Sequence, residues 1–294
     1  MDMESRAEDK RIETRADAPF FTVDSFANGI AIGQQKFEGQ GDPRDYFYLR
    51  LEDDAGMVRL RSRYALHTEN PLQELERNLM RLSRQGVLGG STIYLGVSTD
   101  PYLPFDGKFE ASMKFLNLFQ RYVPGMLVVQ TRSPLIVIAM PVLRKLGRQV
   151  AVTLGVETNQ EDAVQRYTPG FPRISERLKV ADALRKFGIE VTLQVGPLLP
   201  YGDWRNDAPA FAELLAAHGD YVHVRPLVDG SRESEKRARP TQLAHKLAAE
   251  RRFHWLRPDA ANPLITALEK IAPEKLLPPV REHLKEKQLK MFAA

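Results

Sequence analysis

Residues 173–200, RISERLKVADALRKFGIEVTLQVGPLLP, contain a helix pattern and a strand pattern separated by a single glycine. Apolar residues recur at helical spacing over 173–188, and Gly188 is placed to end that helix. Residues 189–200 then predict a strand, because apolar and polar residues alternate to give one aliphatic face of Val191, Leu193 and Val195. This stretch therefore predicts one helix–strand unit of an α/β fold.

The same alternation of helix and strand patterns extends over most of the chain. Regular alternation predicts an α/β fold with a parallel sheet, and the number of units favours a partial (β/α)6 TIM-like barrel. A doubly wound sheet is the main alternative. Further helices are predicted at 70–86, 107–122, 134–147 and 207–219. Further strands are predicted near 44–50 and at 92–98, 125–131, 148–155 and 220–227.

Each predicted strand has one aliphatic face and one polar face. In a barrel, we expect the aliphatic faces to pack under the helices and the polar faces to line the lumen. A polar lumen is suited to hydrogen bonding with a ligand; the alternative is that these groups satisfy one another or bind water. The polar candidates are Ser98, Asp100, Gln130, Thr153, Gln194, His223 and Arg225.

The composition excludes several kinds of site. None of the 294 residues is cysteine, which rules out disulfides, thiol catalysis and cysteine ligands for zinc or an iron–sulfur cluster. The 6 histidines form no zinc-binding pattern, and the chain contains no Walker A, GxGxxG or GxSxG motif. The formal net charge of +4 is mild for this length and does not by itself predict a nucleic-acid partner.

We expect three regions along the chain. Residues 1–20 mix acidic and basic side chains without an apolar stretch, which predicts a disordered or frayed tail rather than a secretory signal. Residues 21–227 are expected to form the barrel, and residues 228–294 a basic, mostly helical C-terminal extension. Between 231 and 260 basic residues outnumber acidic ones, so this segment is the candidate nucleic-acid surface, although a solvated helix face is the simpler interpretation. We expect no membrane segment and a cytoplasmic location.

Five motifs resemble, in the same order, those of the spore photoproduct lyase-like radical SAM proteins, which are often called DNA repair photolyases. The resemblance extends from about residue 40 to residue 225. The motifs are TENPLQELERNL (68–79), GVSTDPYLP (96–104), VVQTRSPL (128–135), VAVTLG (150–155) and YTPGFPRISERLKVADALRKFGIEVTLQVGPLLP (167–200).

The resemblance implies a partial (β/α)6 TIM-like barrel of the radical SAM type with a site for S-adenosylmethionine. A family segment similar to residues 96–104 lines that site. The segment 131–133 is similar to a Thr-Lys-Ser segment whose lysine contacts the methionine carboxylate, and Arg132 is suited to the same contact in bidentate form. A family arginine is kept as Arg177, whereas a family glutamate is replaced by Thr168. Together with the polar strand faces, this gives as cofactor-binding candidates Ser98, Thr99, Asp100, Tyr102, Arg132, Ser133, Thr153, Arg177, Gln194, His223 and Arg225.

The resemblance fails at the loop that would hold an iron–sulfur cluster. The family binds a four-iron, four-sulfur cluster through three cysteines spaced C-x3-C-x2-C, and the corresponding positions here are Gln40, Arg44 and Phe47. None of these side chains can replace a thiolate ligand. We therefore expect no iron–sulfur cluster and no other metal. The pocket residues that are kept favour residual binding of S-adenosylmethionine or a related nucleotide, although such side chains at strand ends can also be structural.

Three functional hypotheses remain. The first is a radical-SAM-like pseudoenzyme that acts by binding a ligand, nucleic acid, or a protein partner such as a cysteine-bearing paralogue. The second is a non-radical enzyme that reuses the barrel pocket, with Asp100, His223 and Arg225 as acid–base and anion-binding groups. The third is a DNA- or RNA-binding accessory protein that uses the 231–260 segment and REHLKEKQLK (281–290).

Overall fold

A computed structural model describes residues 21–26, 29–34, 71–86, 88–90, 92–96, 100, 102, 109–239 and 241–277. Several predictions from the sequence fall outside these residues. They are the tail at 1–20, the cluster-loop positions Gln40, Arg44 and Phe47, the strand near 44–50, the site candidates Ser98 and Thr99, and the basic segment at 281–290.

The described strands form one seven-stranded sheet whose spatial order follows the chain order. The first two strands pair as an antiparallel hairpin, and each later strand pairs in parallel with the one before it. Among these strands the order never reverses, as it would in a doubly wound sheet, so it is compatible with a partial TIM-like barrel. The strands are β1 Phe21–Phe26, β2 Gly29–Gln34, β3 Thr92–Leu95, β4 Met126–Thr131, β5 Val150–Gly155, β6 Glu190–Val195 and β7 Tyr221–Val224.

Helices connect the parallel strands, as the sequence predicts for an α/β fold. The connecting helices are α1 Pro71–Arg84, α2 Phe109–Arg121, α3 Met140–Leu146, α4 Glu161–Tyr167, α5 Ile174–Lys186 and α6 Ala208–His218. The predicted helix at 134–147 is a 3-10 turn over Pro134–Ala139 followed by α3, in which Pro141 lies in the first turn. Proline is tolerated there because its missing N–H has no partner within the helix at that position.

The helix α5 shows how the sequence determines a local boundary. Its buried residues Ile174, Leu178, Ala181 and Leu184 recur at helical spacing, which gives the helix one apolar face. The backbone N–H groups of Ile174 and Ser175 donate to the Glu161 carboxylate at 3.1 and 3.0 Å, so α4 caps the start of α5. The chain turns into β6 at Gly188, where φ is +76°.

The two faces of the sheet differ as predicted. The aliphatic face lies in the core beneath the helices, and its buried residues include Ile93, Leu95, Leu127, Val129, Val152, Leu154, Val191, Leu193, Val195 and Val222. On the opposite face of the central strands, Gln130, Thr153 and Thr192 are only half-buried. The polar face is therefore separate from the core.

The C-terminal residues described, up to 277, form α7 Arg232–Ala238, α8 Gln242–Ala249 and α9 Asn262–Ile271, with 3-10 turns between and after them. The helix α9 packs against α6. Leu276 pairs in parallel with Val222 of β7, and the Leu277 N–H donates to the Val222 carbonyl at 2.9 Å. None of the described helices combines the length and the apolar character needed to span a bilayer.

Candidate site at the carboxyl edge of the sheet

Most of the described candidate residues lie near the carboxyl ends of β3 to β7, whereas Arg177 lies in α5. Residues paired across parallel strands point to the same face of the sheet. Gln130 pairs with Thr153, and Thr153 with Thr192, which forms one polar row across three strands. One step further along, Gly155 pairs with Gln194, and Gln194 with His223. The register therefore brings three of the predicted candidates onto one face at one edge: Thr153, Gln194 and His223.

Asp100 joins the end of β3 to the end of β4. Its Oδ1 accepts a hydrogen bond from the Thr131 hydroxyl at 2.6 Å and one from the Tyr102 backbone N–H at 2.9 Å. Its Oδ2 accepts from the Arg132 backbone N–H at 2.5 Å. Burial raises the pKa of the Asp100 carboxyl, although the hydrogen bonds from Thr131 and the two backbone groups oppose that rise. Both carboxylate oxygens therefore support the local structure where β3 and β4 end, and we refer to Asp100, Tyr102, Thr131 and Ser133 as the corner.

Ser133 and Tyr102 also take part in the structure of this corner. The Ser133 hydroxyl accepts a hydrogen bond from the Leu135 N–H at 3.2 Å and so caps the 3-10 turn that follows β4. Tyr102 is buried, and its hydroxyl has no hydrogen-bond partner among the described residues. Burial and the nearby Asp100 charge both raise the pKa of the Tyr102 hydroxyl, so it stays protonated.

A buried ion triad lies beside this corner and is centred on Glu157, just after β5. Its Oε2 accepts a hydrogen bond from Arg177 Nη1 at 2.7 Å, and its Oε1 accepts from Arg132 Nε. Burial acts to raise the pKa of the Glu157 carboxyl, but the charges of Arg132 and Arg177 outweigh it and hold the pKa below its usual range. The Phe171 ring lies 5.5 Å from the guanidinium carbon of Arg132 and 5.8 Å from that of Arg177. We refer to Arg132, Glu157 and Arg177 as the ion triad.

The two arginines of the ion triad are also bonded to backbone carbonyls. Arg132 Nη2 donates to the Gly196 carbonyl at 2.9 Å. Arg177 donates to the Gly155 carbonyl at 2.9 Å and, from Nε and Nη2, to the Pro172 carbonyl at 3.0 and 2.7 Å. Two nitrogens of Arg132 are thus engaged within the protein, which leaves fewer of its N–H donors for a ligand carboxylate.

Glycine at position 155 makes the ion triad possible. A Cβ at this position would lie 2.6 Å from Arg132 Cγ, 2.9 Å from Arg132 Nε and 3.1 Å from Glu157 Oε1. Contacts this short are not compatible with an ordinary side chain. Arg132 therefore reaches Glu157 by crossing the sheet face at a residue without a side chain.

Glu157 was not identified from the sequence. The resemblance directs attention to residue 168, where the family glutamate is replaced by threonine. In the structure, the buried Thr168 hydroxyl donates to the Val164 carbonyl at 2.9 Å at the end of α4. The available signal for Glu157 was an acidic residue two positions beyond a buried strand, in a chain with arginines after β4 and in α5.

Gln194 and His223 form a second polar group on the same edge, separate from the ion triad. The two residues are 8% and 9% exposed, yet neither side chain makes a hydrogen bond to the described part of the protein. Burial, together with the charge of Arg225, lowers the pKa of the His223 imidazole to about 4. At neutral pH this imidazole is therefore uncharged and has one N–H donor and one acceptor nitrogen.

Arg225 continues the face that carries His223. Its backbone N–H donates to the Val195 carbonyl at 2.8 Å and its carbonyl accepts from Leu198 N at 2.9 Å, so the parallel ladder extends beyond β7. A Cβ on Gly196 would lie 3.3 Å from both Arg225 Cβ and Gln194 Nε2. The glycine thus allows the Gln194 and Arg225 side chains to occupy the space beside it. We refer to Gln194, His223 and Arg225 as the donor cluster.

The edge of the sheet does not offer the ligands that an iron–sulfur cluster needs. The chain has no cysteine, and within the described residues no group of three histidine, aspartate or glutamate side chains could hold a metal ion. Asp100 and Glu157, the buried carboxylates nearest the strand ends, already accept hydrogen bonds on both oxygens.

Comparison with known proteins gives a likeness of fold alone. No protein-family profile matches the chain, and no curated protein matches its sequence. Two solved structures of spore photoproduct lyase variants superpose with TM-scores of 0.49 and 0.50, each at 11% sequence identity and over 70% of this chain. A phosphodiesterase in complex with c-di-GMP, PaMucR, gives a TM-score of 0.33 at 12% identity over 80% of this chain and 91% of its own, which is too low to support an argument.

The chain spans about 65% of the length of the lyase structures that it matches. An identity of 11% does not carry over residue roles. The chain therefore has an α/β fold with a largely parallel sheet that is distantly similar to the fold of spore photoproduct lyase.

Proposed function

We propose that this chain is a radical-SAM-like protein that carries no iron–sulfur cluster and acts by binding a small polar molecule at the carboxyl edge of its sheet. One observation carries the proposal: Gln194 and His223 are more than nine-tenths buried, and neither side chain makes a hydrogen bond to the described protein. Neither side chain is among the fully buried unpartnered ones of the described residues, so their polar atoms keep some accessible surface and can meet a small molecule at the edge of the sheet. A bound polar molecule would satisfy both groups.

The location of these residues agrees with a binding role. In α/β proteins with parallel sheets, ligands bind beyond the carboxyl ends of the strands, where loops from several strands converge. Gln194 and His223 pair with each other near the ends of β6 and β7. The ion triad next to them fixes the ends of β4 and β5 and the start of α5 through buried bonds. The edge therefore combines a rigid charged support with polar groups that lack protein partners.

S-adenosylmethionine or a related nucleotide is the ligand that the family resemblance suggests. The residues that would hold it are those of the corner and the donor cluster, with Thr153 between them. Adenosyl compounds supply donors and acceptors on the base and the ribose, which match an amide and a neutral imidazole. The expected contact of Arg132 with the methionine carboxylate has less support, because Arg132 is bonded to Glu157 and Gly196.

The two other hypotheses have less support. An acid–base role for Asp100 conflicts with its three hydrogen bonds from backbone and threonine donors. A nucleic-acid role for the 231–260 segment has less support because some of its arginine and lysine side chains already bond to groups of the protein. Arg257 pairs with Asp259 at 2.9 Å, Arg252 lies 3.5 Å from Glu250, and Lys246 donates to the Arg166 carbonyl.

The binding proposal is tested by isothermal titration of the full chain with S-adenosylmethionine and S-adenosylhomocysteine, accompanied by thermal unfolding. Binding is expected for the protein and is expected to be lost in Gln194→Leu and His223→Leu, which remove the hydrogen-bonding groups. The matched control is Gln165→Leu, because Gln165 is exposed on α4. If neither compound gives heat or a thermal shift, the assignment of an adenosyl ligand is wrong. If all three variants bind equally, the assignment of the site to Gln194 and His223 is wrong.

The loss of the cluster is tested separately by anaerobic reconstitution with iron and sulfide. The protein is expected to remain without visible absorbance, because it offers no thiolate ligands. A stable brown protein with stoichiometric iron would show that the cluster-free proposal is wrong.

A further inference from the structure

We propose that the donor cluster of Gln194, His223 and Arg225 recognises an oxyanion, a carboxylate or phosphate group of the bound molecule. This inference rests on the proposed binding function and names the chemical class that the site takes. It concerns residues at the ends of β6 and β7, whereas the family resemblance assigns the contact with the ligand carboxylate to Arg132.

The three side chains offer donors from two neighbouring strands on one face of the sheet. Gln194 and His223 are paired in register, and Arg225 follows His223 by two residues, which places it on the same face. An amide N–H, an imidazole N–H and a guanidinium can all donate to one oxyanion. Gln194 Nε2 and Arg225 Cβ each lie 3.3 Å from the position that a Cβ on Gly196 would occupy, so the two side chains flank the same space.

The charges around the donor cluster favour an acceptor-rich ligand. Arg225 is near enough to act, together with burial, on the pKa of His223, so its positive charge is present at this face. The two buried carboxylates of the same edge do not oppose an anion strongly. Glu157 is bonded to two guanidinium groups, and Asp100 accepts hydrogen bonds from three donors. Each negative charge is therefore already stabilised by the protein.

The state of His223 also fits this ligand class. Because the imidazole is neutral at pH 7, it can remain largely buried without the cost of burying a cation. One of its nitrogens carries a hydrogen and can donate to an anion, and the acceptor nitrogen can bond a hydroxyl of the same molecule. With no hydrogen bond to the described protein, the ring is available for both contacts.

The test uses nuclear magnetic resonance of the histidine side-chain nitrogens in the full-length chain. The His223 signals are assigned by their loss in His223→Gln. Sodium phosphate, sodium acetate and adenosine are titrated at constant ionic strength, with sodium chloride as the reference. We expect saturable shifts of the His223 nitrogens with phosphate or acetate, and the tighter of the two identifies the oxyanion.

Matched arginine variants locate the response. Arg225→Met is expected to weaken the oxyanion affinity about tenfold or more, since it removes a charged hydrogen-bond donor. Arg148→Met, an exposed residue after α3, is expected to change nothing. Arg225→Lys, which keeps the charge, is expected to fall between them and provides a second variant should Arg225→Met fail to fold.

The possible failures are distinguishable. If His223 responds to phosphate and acetate no more than to chloride, the oxyanion assignment is wrong. If it responds to adenosine alone, the site binds a neutral group, and the proposed binding function stands without the oxyanion. If phosphate shifts His223 equally in Arg225→Met and Arg148→Met, Arg225 does not contribute and the donor cluster as proposed is wrong.

Discussion

Arg177 Nη1 donates to Glu157 Oε2 over 2.7 Å, and neither side chain has any exposed surface. Arg132 Nε donates to Oε1, the other oxygen of the same carboxylate. A charged pair removed so completely from water loses its solvation, and the loss is offset only when each remaining hydrogen-bonding group is also satisfied. Here further N–H groups of the two arginines donate to the Gly155, Pro172 and Gly196 carbonyls.

Replacing Glu157 by glutamine should destabilise the protein by about 3 kcal/mol or more, because two buried guanidinium groups lose their counter-charge. Urea unfolding at pH 7 measures the effect. Glu190→Gln, at an exposed position in β6, is the matched control and should stay within about 0.5 kcal/mol of the native protein. Equal stability of the two variants would mean that the ion triad does not hold the strand ends.

Gly155→Ala should cost about 1–3 kcal/mol, because the new methyl group would overlap Arg132 and force the ion triad apart. The control is Gly89→Ala, since a Cβ at Gly89 would meet nothing within 4 Å. Thermal unfolding of both variants makes the comparison. An unchanged midpoint in Gly155→Ala would show that Arg132 has another path to Glu157.

The depressed pKa of His223 gives a defined pH dependence. The unfolded chain takes up this proton near pH 6.5, whereas the folded protein resists it until about pH 4. The unfolded state therefore binds more protons between these values, and stability falls as the pH is lowered from 6.5 towards 4. The contribution amounts to about 2 kcal/mol between pH 7 and pH 5.

His223→Gln removes this titration and should flatten the stability profile over the same interval. Urea unfolding at pH 7 and pH 5 is compared with that of His245→Gln, which replaces an exposed histidine of α8. If His223→Gln and the native protein lose the same free energy of unfolding between the two pH values, the imidazole is not held neutral by its surroundings.

Glu250 connects the C-terminal helices to α4. It accepts from Arg166 Nε at 2.7 Å and from the Tyr167 hydroxyl. The chain from Tyr167 leads directly to Phe171, which lies over the ion triad. Glu250→Gln should therefore increase amide hydrogen exchange in residues 161–172 while leaving β4 and β5 unchanged, as measured by mass spectrometry. Glu269→Gln, on the exposed side of α9, is the control; identical exchange in both variants would contradict the connection.

The elements determined by local pattern were predictable from the sequence. The helix predicted at 173–188 occupies 174–186, and the strand predicted at 189–200 occupies 190–195. These boundaries follow from apolar spacing, from the left-handed backbone at Gly188 and from alternation in the strand, all of which act over a few residues. The parallel arrangement of the sheet and the polar face carrying Thr153, Gln194 and His223 follow from the same patterns.

The parts that were not predicted depend on contacts between distant residues. Glu157 bonds to Arg132, 25 residues away, and to Arg177, 20 residues away, and no local pattern records these pairs. The helix α4 was missed because its seven residues are too few to establish a period. The hairpin of β1 and β2 was also missed. The hydrogen bonds of Asp100 to Thr131 and to two backbone N–H groups were not predicted either, and its expected part in ligand binding stays a prediction.

The pairing of the C-terminal segment with β7 has a consequence for assembly. A strand at the border of a sheet exposes a row of amide and carbonyl groups that can template the addition of a foreign strand. Here the Val222 carbonyl already accepts the Leu277 N–H, and Lys275 Nζ donates to the Ala216 and Gly219 carbonyls beside it. The C-terminal segment thus covers part of this sheet edge. A strand from another chain could pair with β7 only after it displaced that segment.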